Sequence, residues 1–515
     1  MKGKYWEIPY RPITADQFRG NRPPLLEAVL ALREIPDQLV ESFLHPSFES
    51  LGDPMKMKDM PKAVARIQQA IATKEKVAIY GDYDVDGITS LSIVYSYLKS
   101  KGVDCTPYIP DRIDEGYGVN HEAVEALADS GITLIITVDC GITAAAETEY
   151  AKSRGVDLII TDHHECRGFV LPDAVAVIDP KREDCEYGFD ALAGCGVAFK
   201  LICALDGNTH AMLDRFADLV AVGTVADVMP MIGENRYLVQ AGLHKLVTNP
   251  RPGLAALMSK ALSPGKEISA TTISFTLAPR INAAGRMEKI ELATELFLTH
   301  DAERAGYLAA ALCDLNRQRQ AVEAEIYEQA LAMLPKEQPD AIVLAGETWH
   351  QGVVGIVASR IAEDYNCPAF LICMDSDHGK ASSRSYGGFN LFASLSSLSH
   401  LLESYGGHEL AAGFTIGREQ IDTFREEISA LAKAYYAQTD SRTALDIDCA
   451  VTLPELTVSG IDSLSVLEPC GSGCPRPLLM TEKLTVERIS MVGNGRHMRL
   501  RLQQGRHYVN AIYFS

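Results

Sequence analysis

Nowhere does the 515-residue chain hold an apolar run long enough to cross a bilayer. Its longest apolar stretches, such as 133–138 and 219–226, fall far short of the roughly 20 residues a membrane helix needs. The opening Met-Lys-Gly-Lys-Tyr-Trp-Glu lacks the apolar core of a signal peptide, so export is not expected. A disulfide framework is missing too: twelve cysteines are scattered along a long chain, which suits buried thiols in a reducing cytoplasm. Cys470 and Cys474 stand four apart in Cys-Gly-Ser-Gly-Cys, but without a second His/Cys pair nearby they are not expected to hold zinc. No repeat or low-complexity segment is present. Basic excess is also lacking: 48 Lys and Arg face 68 Asp and Glu, a net charge of −20. That argues against a simple nucleic-acid binder. It does not exclude a metal enzyme, which needs clustered carboxylates, nor a local basic cleft within an acidic surface.

What the chain does have is alternation. From residue 23 to about 73 the apolar spacing is helical, with Leu25, Leu26, Val29, Leu30 and Leu32 in a first stretch and 63–72 in a second. Strands at 77–80, 133–138, 157–160 and 175–178 then interleave with helices at 88–100 and 144–153. This pattern predicts an α/β fold with a parallel sheet covered by helices on both faces. The helical period returns at 196–226, and a charged amphipathic stretch at 301–334 predicts a connector helix between two lobes. A second α/β region follows, with strands at 341–344 and 369–373 and helices at 352–365 and 420–436. The last stretch favours strands and turns, among them Val492-Gly-Asn-Gly495, and predicts a small β-domain. The expected units are therefore an N-terminal helical segment (1–74), a first α/β lobe (75–300), a connector helix (301–338), a second α/β lobe (339–440) and a β-domain (441–515).

The strongest local signal is Tyr80-Gly-Asp-Tyr-Asp-Val-Asp-Gly87, which sets Asp82, Asp84 and Asp86 between a buried strand and a helix. Loops at the carboxyl ends of parallel strands are where open α/β sheets place ligands. The segment also begins like an EF-hand loop, but the twelfth position, which needs Glu, is Ile93. The arrangement recurs. Strand 133–138 ends in Asp139-Cys-Gly141 and strand 157–160 in Thr161-Asp-His-His-Glu165, delivering Asp162, His163 and His164. Asp227 ends an apolar helix. Oxygen-rich sites with one or two imidazoles and no thiolate suit Mn²⁺ or Mg²⁺. Two such ions about 3.5–4 Å apart activate water and stabilise charge on a phosphoryl group, which serves phosphodiester cleavage.

The order Asp-x-Asp-x-Asp-Gly, Asp-Cys-Gly, Asp-His-His and Ala-Asp resembles the signature segments of the DHH phosphoesterases. The flanking Lys58-Asp-Met-Pro61, Ile109-Pro-Asp-Arg112, Glu115-Gly-Tyr-Gly118 and Pro279-Arg-Ile-Asn-Ala-Ala-Gly-Arg286 look like the RecJ branch of that family. The match runs from about Leu25 onward. Carried over residue by residue, the resemblance implies a DHH catalytic lobe in which Asp84 and Asp139 hold one metal. Asp86, Asp139, His163 and Asp227 would hold the other, with Asp139 bridging. Asp82 serves as ligand or support, because Tyr80 stands where other DHH branches have histidine. His164 faces the scissile phosphate and Asp162 orients its neighbours.

For the substrate, the resemblance makes Arg112, Arg280 and Arg286, in what read as polar loops, candidates for DNA phosphates, with Asn282 as a neutral donor. In a DHH-associated second lobe, Gly406-Gly407-His408 would close over a phosphate, with a helix start expected after it. Ser383 and Arg384 are further candidates there; Trp349-His-Gln-Gly352 is a polar segment of the same kind. The β-domain resembles an oligonucleotide-binding (OB) barrel, with cysteines in Leu467-Glu-Pro-Cys-Gly-Ser-Gly-Cys-Pro475 where the family has Phe and Asn. Since the sequence stops at Ser515, a shortened barrel or a truncated chain is expected, with weaker DNA affinity. The implied function is a 5′-to-3′ exonuclease on single-stranded DNA in repair and recombination. Its partners would be that DNA and a single-stranded-DNA-binding protein or a helicase, with no membrane. The alternatives are a DHH hydrolase of short oligonucleotides or cyclic dinucleotides, and an inactive replication scaffold.

Overall fold

The computed structural model describes residues 22–514, apart from 113, 114, 117, 167, 169, 336, 338, 440–445 and 494. Residues 1–21 of the expected helical segment, Tyr117 and Asn494 of the quoted motifs, the boundary at 440–441 and Ser515 lie outside the described residues. Two compact units result. One comprises Gly52–Met229 and Ala241–Thr443, the other Tyr5–Leu51, Pro230–Gln240 and Ala444–Ser515, each over its described part. The segment read as one helical domain at 1–74 thus falls on both sides of this division. Among the described residues no helix is long and apolar enough to cross a membrane.

The first unit is built on two sheets. Strands β1 (Lys76–Gly81), β2 (Asp104–Tyr108), β3 (Leu134–Val138), β4 (Asp157–Thr161) and β5 (Ala176–Ile178) pair in the order β2-β1-β3-β4-β5, parallel throughout. β1 after Lys76 and all of β3 are buried, as strands covered on both faces must be, which is why they read as unbroken apolar runs. On one face Ala78, Tyr80 and Ile135 pack with Val124 and Leu127 of helix His121–Asp129. Helices Val85–Ser100, Gly194–Asp206 and Thr209–Ala226 pack against one another as a further layer. The 32-residue helix Ala302–Met333 forms the connector.

The second sheet runs β6 (Ile342–Gly346), β7 (Ala369–Asp375), β8 (His378–Arg384), β9 (Ser404–Gly407) and β10 (Ala411–Gly417) in the order β6-β7-β8-β10-β9. Only β6 and β7 are parallel. Side chains alternate as the pleat demands. Val343, Phe370 and Ile372 join Phe424 and Ile428 of helix Ile421–Gln438 in one core. Ile342, Leu344 and Leu371 join Val353, Val357 and Ile361 of helix Gln351–Tyr365 in the other. β8 to β10 escape the apolar pattern because they are rich in Gly, Ser and Ala rather than β-branched residues.

In the second unit, helices Pro24–Leu32 and Asp37–Leu44 bury Leu26, Val29, Val40 and Leu44 against Leu467 and Cys470. Two short strands, β11 (Cys449–Ala450) and β12 (Leu479–Met480), pair in parallel. β13 (Thr485–Val492), β14 (His497–Gln504) and β15 (His507–Tyr513) form an antiparallel meander. Among the described residues this sheet is open, three strands wide, rather than a closed barrel.

Candidate metal centre

Strand register assembles the site. Gly81 of β1 lies opposite Val138 of β3, Val138 opposite Thr161 of β4, and Thr161 opposite Ile178 of β5. The next residue on each strand is an aspartate: Asp82, Asp139, Asp162 and Asp179. The backbones of four aspartates therefore leave the sheet in one row, on strands about 4.8 Å apart. The ladder even continues past the strands, the Asp139 amide donating to the Thr161 carbonyl and the Asp162 amide to that of Ile178, both at 3.0 Å. In the order 2-1-3-4-5 the topology reverses between β1 and β3, the crevice where such sheets bind ligands. Asp179 is not singled out by motif, yet Asp179-Pro180 holds the same place after its strand as Asp139 and Asp162.

The other acids come from helix ends. Asp84 caps helix Val85–Ser100, its carboxylate accepting the Gly87 amide at 3.0 Å, and Asp86 sits in the first turn, where a negative charge suits the dipole. Asp86 is buried and accepts the amides of Gly194 (2.6 Å) and Cys195 (2.9 Å) at the start of helix Gly194–Asp206. Asp227 closes helix Thr209–Ala226 at the end where the dipole disfavours an anion, a placement that helix stability does not explain. Two glycines permit the crowding. A Cβ on Gly194 would fall 2.5 Å from Asp139 Oδ1, and one on Gly223 would fall 2.7 Å from Asp86 Oδ1. Asp139 itself has φ +61°, the left-handed region that aspartate tolerates better than most residues.

Three ligand-like groups overlap here: Asp139 with His163 and His164; Asp86 with His163 and Asp227; Asp82 with Asp84 and Asp139. His163 Nε2 lies 3.1 Å from Asp139 Oδ1, 3.5 Å from Asp227 Oδ2 and 3.8 Å from Asp86 Oδ2. Asp82 Oδ1, Asp139 Oδ1 and both His163 ring nitrogens are buried without a hydrogen-bond partner. Such atoms are costly unless a cation answers them, so the donor set fits divalent ions. Charge tells the same story. Burial, then Asp84, pushes Asp82 up to about 8, and burial, then Asp86, pushes Asp227 up to about 7. Asp86 rises to about 6, and Asp139 is driven well above the carboxylate range by burial and its acidic neighbours. Burial lowers His163, keeping it in the neutral form a ligand needs. Beside this group Asp162 Oδ1 meets His164 Nδ1 at 2.7 Å and its Oδ2 accepts the Ile142 amide at 2.9 Å. Burial opposes the charge on His164, but the bond to Asp162 outweighs it and raises the imidazole to about 9.

A cationic cluster adjoins the anionic one through Tyr83, which sits between Asp82 and Asp84. The Arg112 guanidinium lies over the Tyr83 ring, 4.7 Å from its centroid. Burial, then Arg112, Arg319 and Arg384, pushes Arg286 down to about 10; burial and Arg112 lower Arg384. Arg286 donates to the Gly352 carbonyl at 3.0 Å. Arg319, buried on the connector helix and bonded to Asn316 Oδ1 at 2.8 Å, belongs to no motif quoted above.

Several expectations need correction. Arg280, Asn282 and Arg286 lie not in loops but on helix Ala278–Arg286, because Pro279 occupies its first turn, where a missing N–H costs nothing. Arg280 donates to the Thr276 carbonyl at 2.6 Å. Gly406 and Gly407 do not precede a helix; they end β9, and His408 turns the chain into β10, its amide bonded to the Ala411 carbonyl at 2.8 Å. The neighbouring strand thus takes amides that a helix start would have offered. His408 is exposed. Ser383 is fully buried, paired beside Phe370 and Ala412 on the core face of β8. Strand parity instead places Ser382 with Arg384, whose Nη1 donates to Ser382 Oγ at 3.2 Å.

The raised carboxyl groups fix a pH dependence. Their folded-state values lie above the unfolded one, so their contribution to stability is full below about pH 4 and is lost as pH rises through about 6 to 8. In chelator, the melting temperature should fall from pH 6 to pH 8. Added Mn²⁺ competes with protons, so the rise in melting temperature that it causes should be larger at pH 8. Thermal denaturation at both values with and without Mn²⁺ checks this; an equal metal-induced rise would contradict it.

The model of the DHH family, N-terminal domain, matches residues 76–224, that of the DHHA1 domain 338–434, and that of the RecJ OB domain 447–515. The chain is 38% identical over 498 residues to the single-stranded-DNA-specific exonuclease RecJ of Bacillus subtilis, covering 96% of this chain and 63% of that protein. It is 34% identical to RecJ of Dickeya dadantii, covering 93% of this chain and 88% of the relative. The crystal structure of RecJ in complex with Mn²⁺ from Thermus thermophilus superposes with a TM-score of 0.85 at 31% identity, over 100% of this chain and 74% of that one. By these matches the chain belongs to the RecJ family.

Proposed function

We propose that the chain is a metal-dependent exonuclease that removes nucleotides from the 5′ end of single-stranded DNA. The observation that carries the proposal is the apposition of two frustrated charge clusters. Burial, then like-charged neighbours, drives carboxylates up at Asp82, Asp86, Asp139 and Asp227 and guanidiniums down at Arg286 and Arg384. Divalent cations on the first and a phosphodiester on the second would relieve both. Relatives named as single-stranded-DNA-specific exonucleases supply the substrate class. The cytoplasm is the compartment that fits.

Asp82, Asp84 and Asp139 would hold one Mn²⁺ or Mg²⁺, and Asp86, Asp139, His163 and Asp227 the second. When bound, the ions would supply Lewis-acid stabilisation of phosphoryl charge and an acidified water. The residues themselves orient and neutralise. Arg112, Arg286 and Arg384, with Ser382 in place of Ser383, grip the phosphate, and Arg280, Asn282, Gly407 and His408 extend the contact along the strand. With Nδ1 bonded to Asp162, the proton His164 would deliver to the phosphate or leaving oxygen is the one on Nε2. In the other unit, Arg488, Arg499 and Arg501 with Ser490 and Asn510 line a concavity of about 270 Å³ on β13–β15, suited to a nucleic-acid backbone.

Initial rates on a 5′-labelled single strand, the matching blunt duplex and a dinucleotide test the substrate. The single strand should be consumed fastest, from its 5′ end. A clear preference for the dinucleotide would overturn the exonuclease assignment and favour an oligonucleotide hydrolase. Filled ligand positions already count against an inactive scaffold.

A further inference from the structure

Cys470 and Cys474 take no part in the chemistry above. They flank a tight turn in the second unit, in which Gly471 and Cys474 exchange backbone hydrogen bonds of 2.9 and 3.2 Å. Both thiols donate to the same carbonyl, that of Leu467, at 3.5 and 3.9 Å. Two guanidiniums converge on Cys474: Arg33 Nη1 and Arg236 Nη1 each donate to its sulfur at 3.6 Å. Arg236 is buried, and its other bonds go to the carbonyls of Phe43, Val466, Leu467, Glu468 and Pro469, so a thiolate at Cys474 would answer its charge at contact. Cys474, itself buried, also lines a cavity of about 880 Å³ with Arg33, Ile232, Asp448 and Arg476.

We propose that Cys470 and Cys474 form a peroxide-reactive dithiol, a reversible oxidation site. The Cys474 thiolate attacks a peroxide oxygen, breaking the O–O bond to give sulfenic acid and hydroxide, which takes up a proton. The Cys470 sulfur then displaces the sulfenic oxygen as water, so two thiols and one peroxide yield one disulfide and two waters. A cellular dithiol reverses the step by exchange. The neighbouring Cys470 thiol, then Arg236 and Arg33, hold the Cys474 thiol low against its burial, which favours it as the attacking sulfur. The glycines between the two cysteines let the turn adjust to disulfide geometry.

The reduced full chain, treated with hydrogen peroxide, alkylated and mapped by peptide mass spectrometry, tests this. The peptide carrying both residues should lose its two thiol hydrogens and resist alkylation at least about tenfold sooner than any other cysteine, and dithiothreitol should restore it. In Cys470→Ser, which lacks the resolving thiol, Cys474 should instead advance to sulfinic acid that dithiothreitol does not reverse. If the peptide stays fully alkylatable while other cysteines oxidise, or if Cys474 in Cys470→Ser reacts no faster than the remaining buried cysteines, the proposal fails.

Discussion

Asp139→Asn should lower the rate of phosphodiester hydrolysis by about 10³-fold or more while leaving the chain folded. Asp139 is common to two of the three ligand-like groups, and its Oδ1 has no hydrogen-bond partner to lose. Asparagine keeps the volume and tolerates the φ of +61° that alanine would resist. The substitution also removes a charge that burial and Asp86, Asp84, Asp82 and Asp227 all disfavour. In chelator the variant should therefore melt higher than the parent, and Mn²⁺ should raise its melting temperature less. Activity assays with Mn²⁺ and melting curves with and without it read both effects. A folded variant with near-normal rates would sink the two-cation site.

Gly194→Ala is expected to cost about 10–100-fold in metal affinity, with a comparable loss of rate, although the residue bears no functional group. Its Cβ would fall 2.5 Å from Asp139 Oδ1 and 2.6 Å from Asp139 Cβ, closer than real contacts allow. The same residue donates its amide to Asp86 at 2.6 Å, so any shift that relieves the clash displaces a second carboxylate. Mn²⁺ titration by calorimetry measures the loss, and circular dichroism confirms that the helix Gly194–Asp206 persists. Unchanged affinity would mean that Asp139 has room to move and that the packing does not define the site.

How much of this was legible follows from what sequence patterns encode. β1 and β3 are buried on both faces, so they stand out as apolar runs, and the acids directly after them, Asp82 and Asp139, are found with them. The strand before Asp179 is legible at 175–178, but Asp179-Pro180 belongs to no signature segment, so its acid does not stand out. Arg280 and Arg286 were expected in loops because Pro279, Asn282 and Gly285 are turn formers by composition, whereas a proline in the first turn of a helix is harmless. Ser382 and Ser383 differ only in strand parity, which a segment of small polar residues does not reveal. Arg319 sits in a helix rich in charge, where sequence offers no means of telling the one buried guanidinium from its solvated neighbours. Gly194 acquires its role wholly from tertiary packing against Asp139.

One cluster of side chains is expected to hold two divalent ions. Anomalous diffraction at the manganese edge, from crystals grown with Mn²⁺, tests it most directly. Two peaks about 3.5–4 Å apart are expected, one against Asp82, Asp84 and Asp139, the other against Asp86, Asp139, His163 and Asp227. An ordered site with no peak touching Asp139 would contradict it.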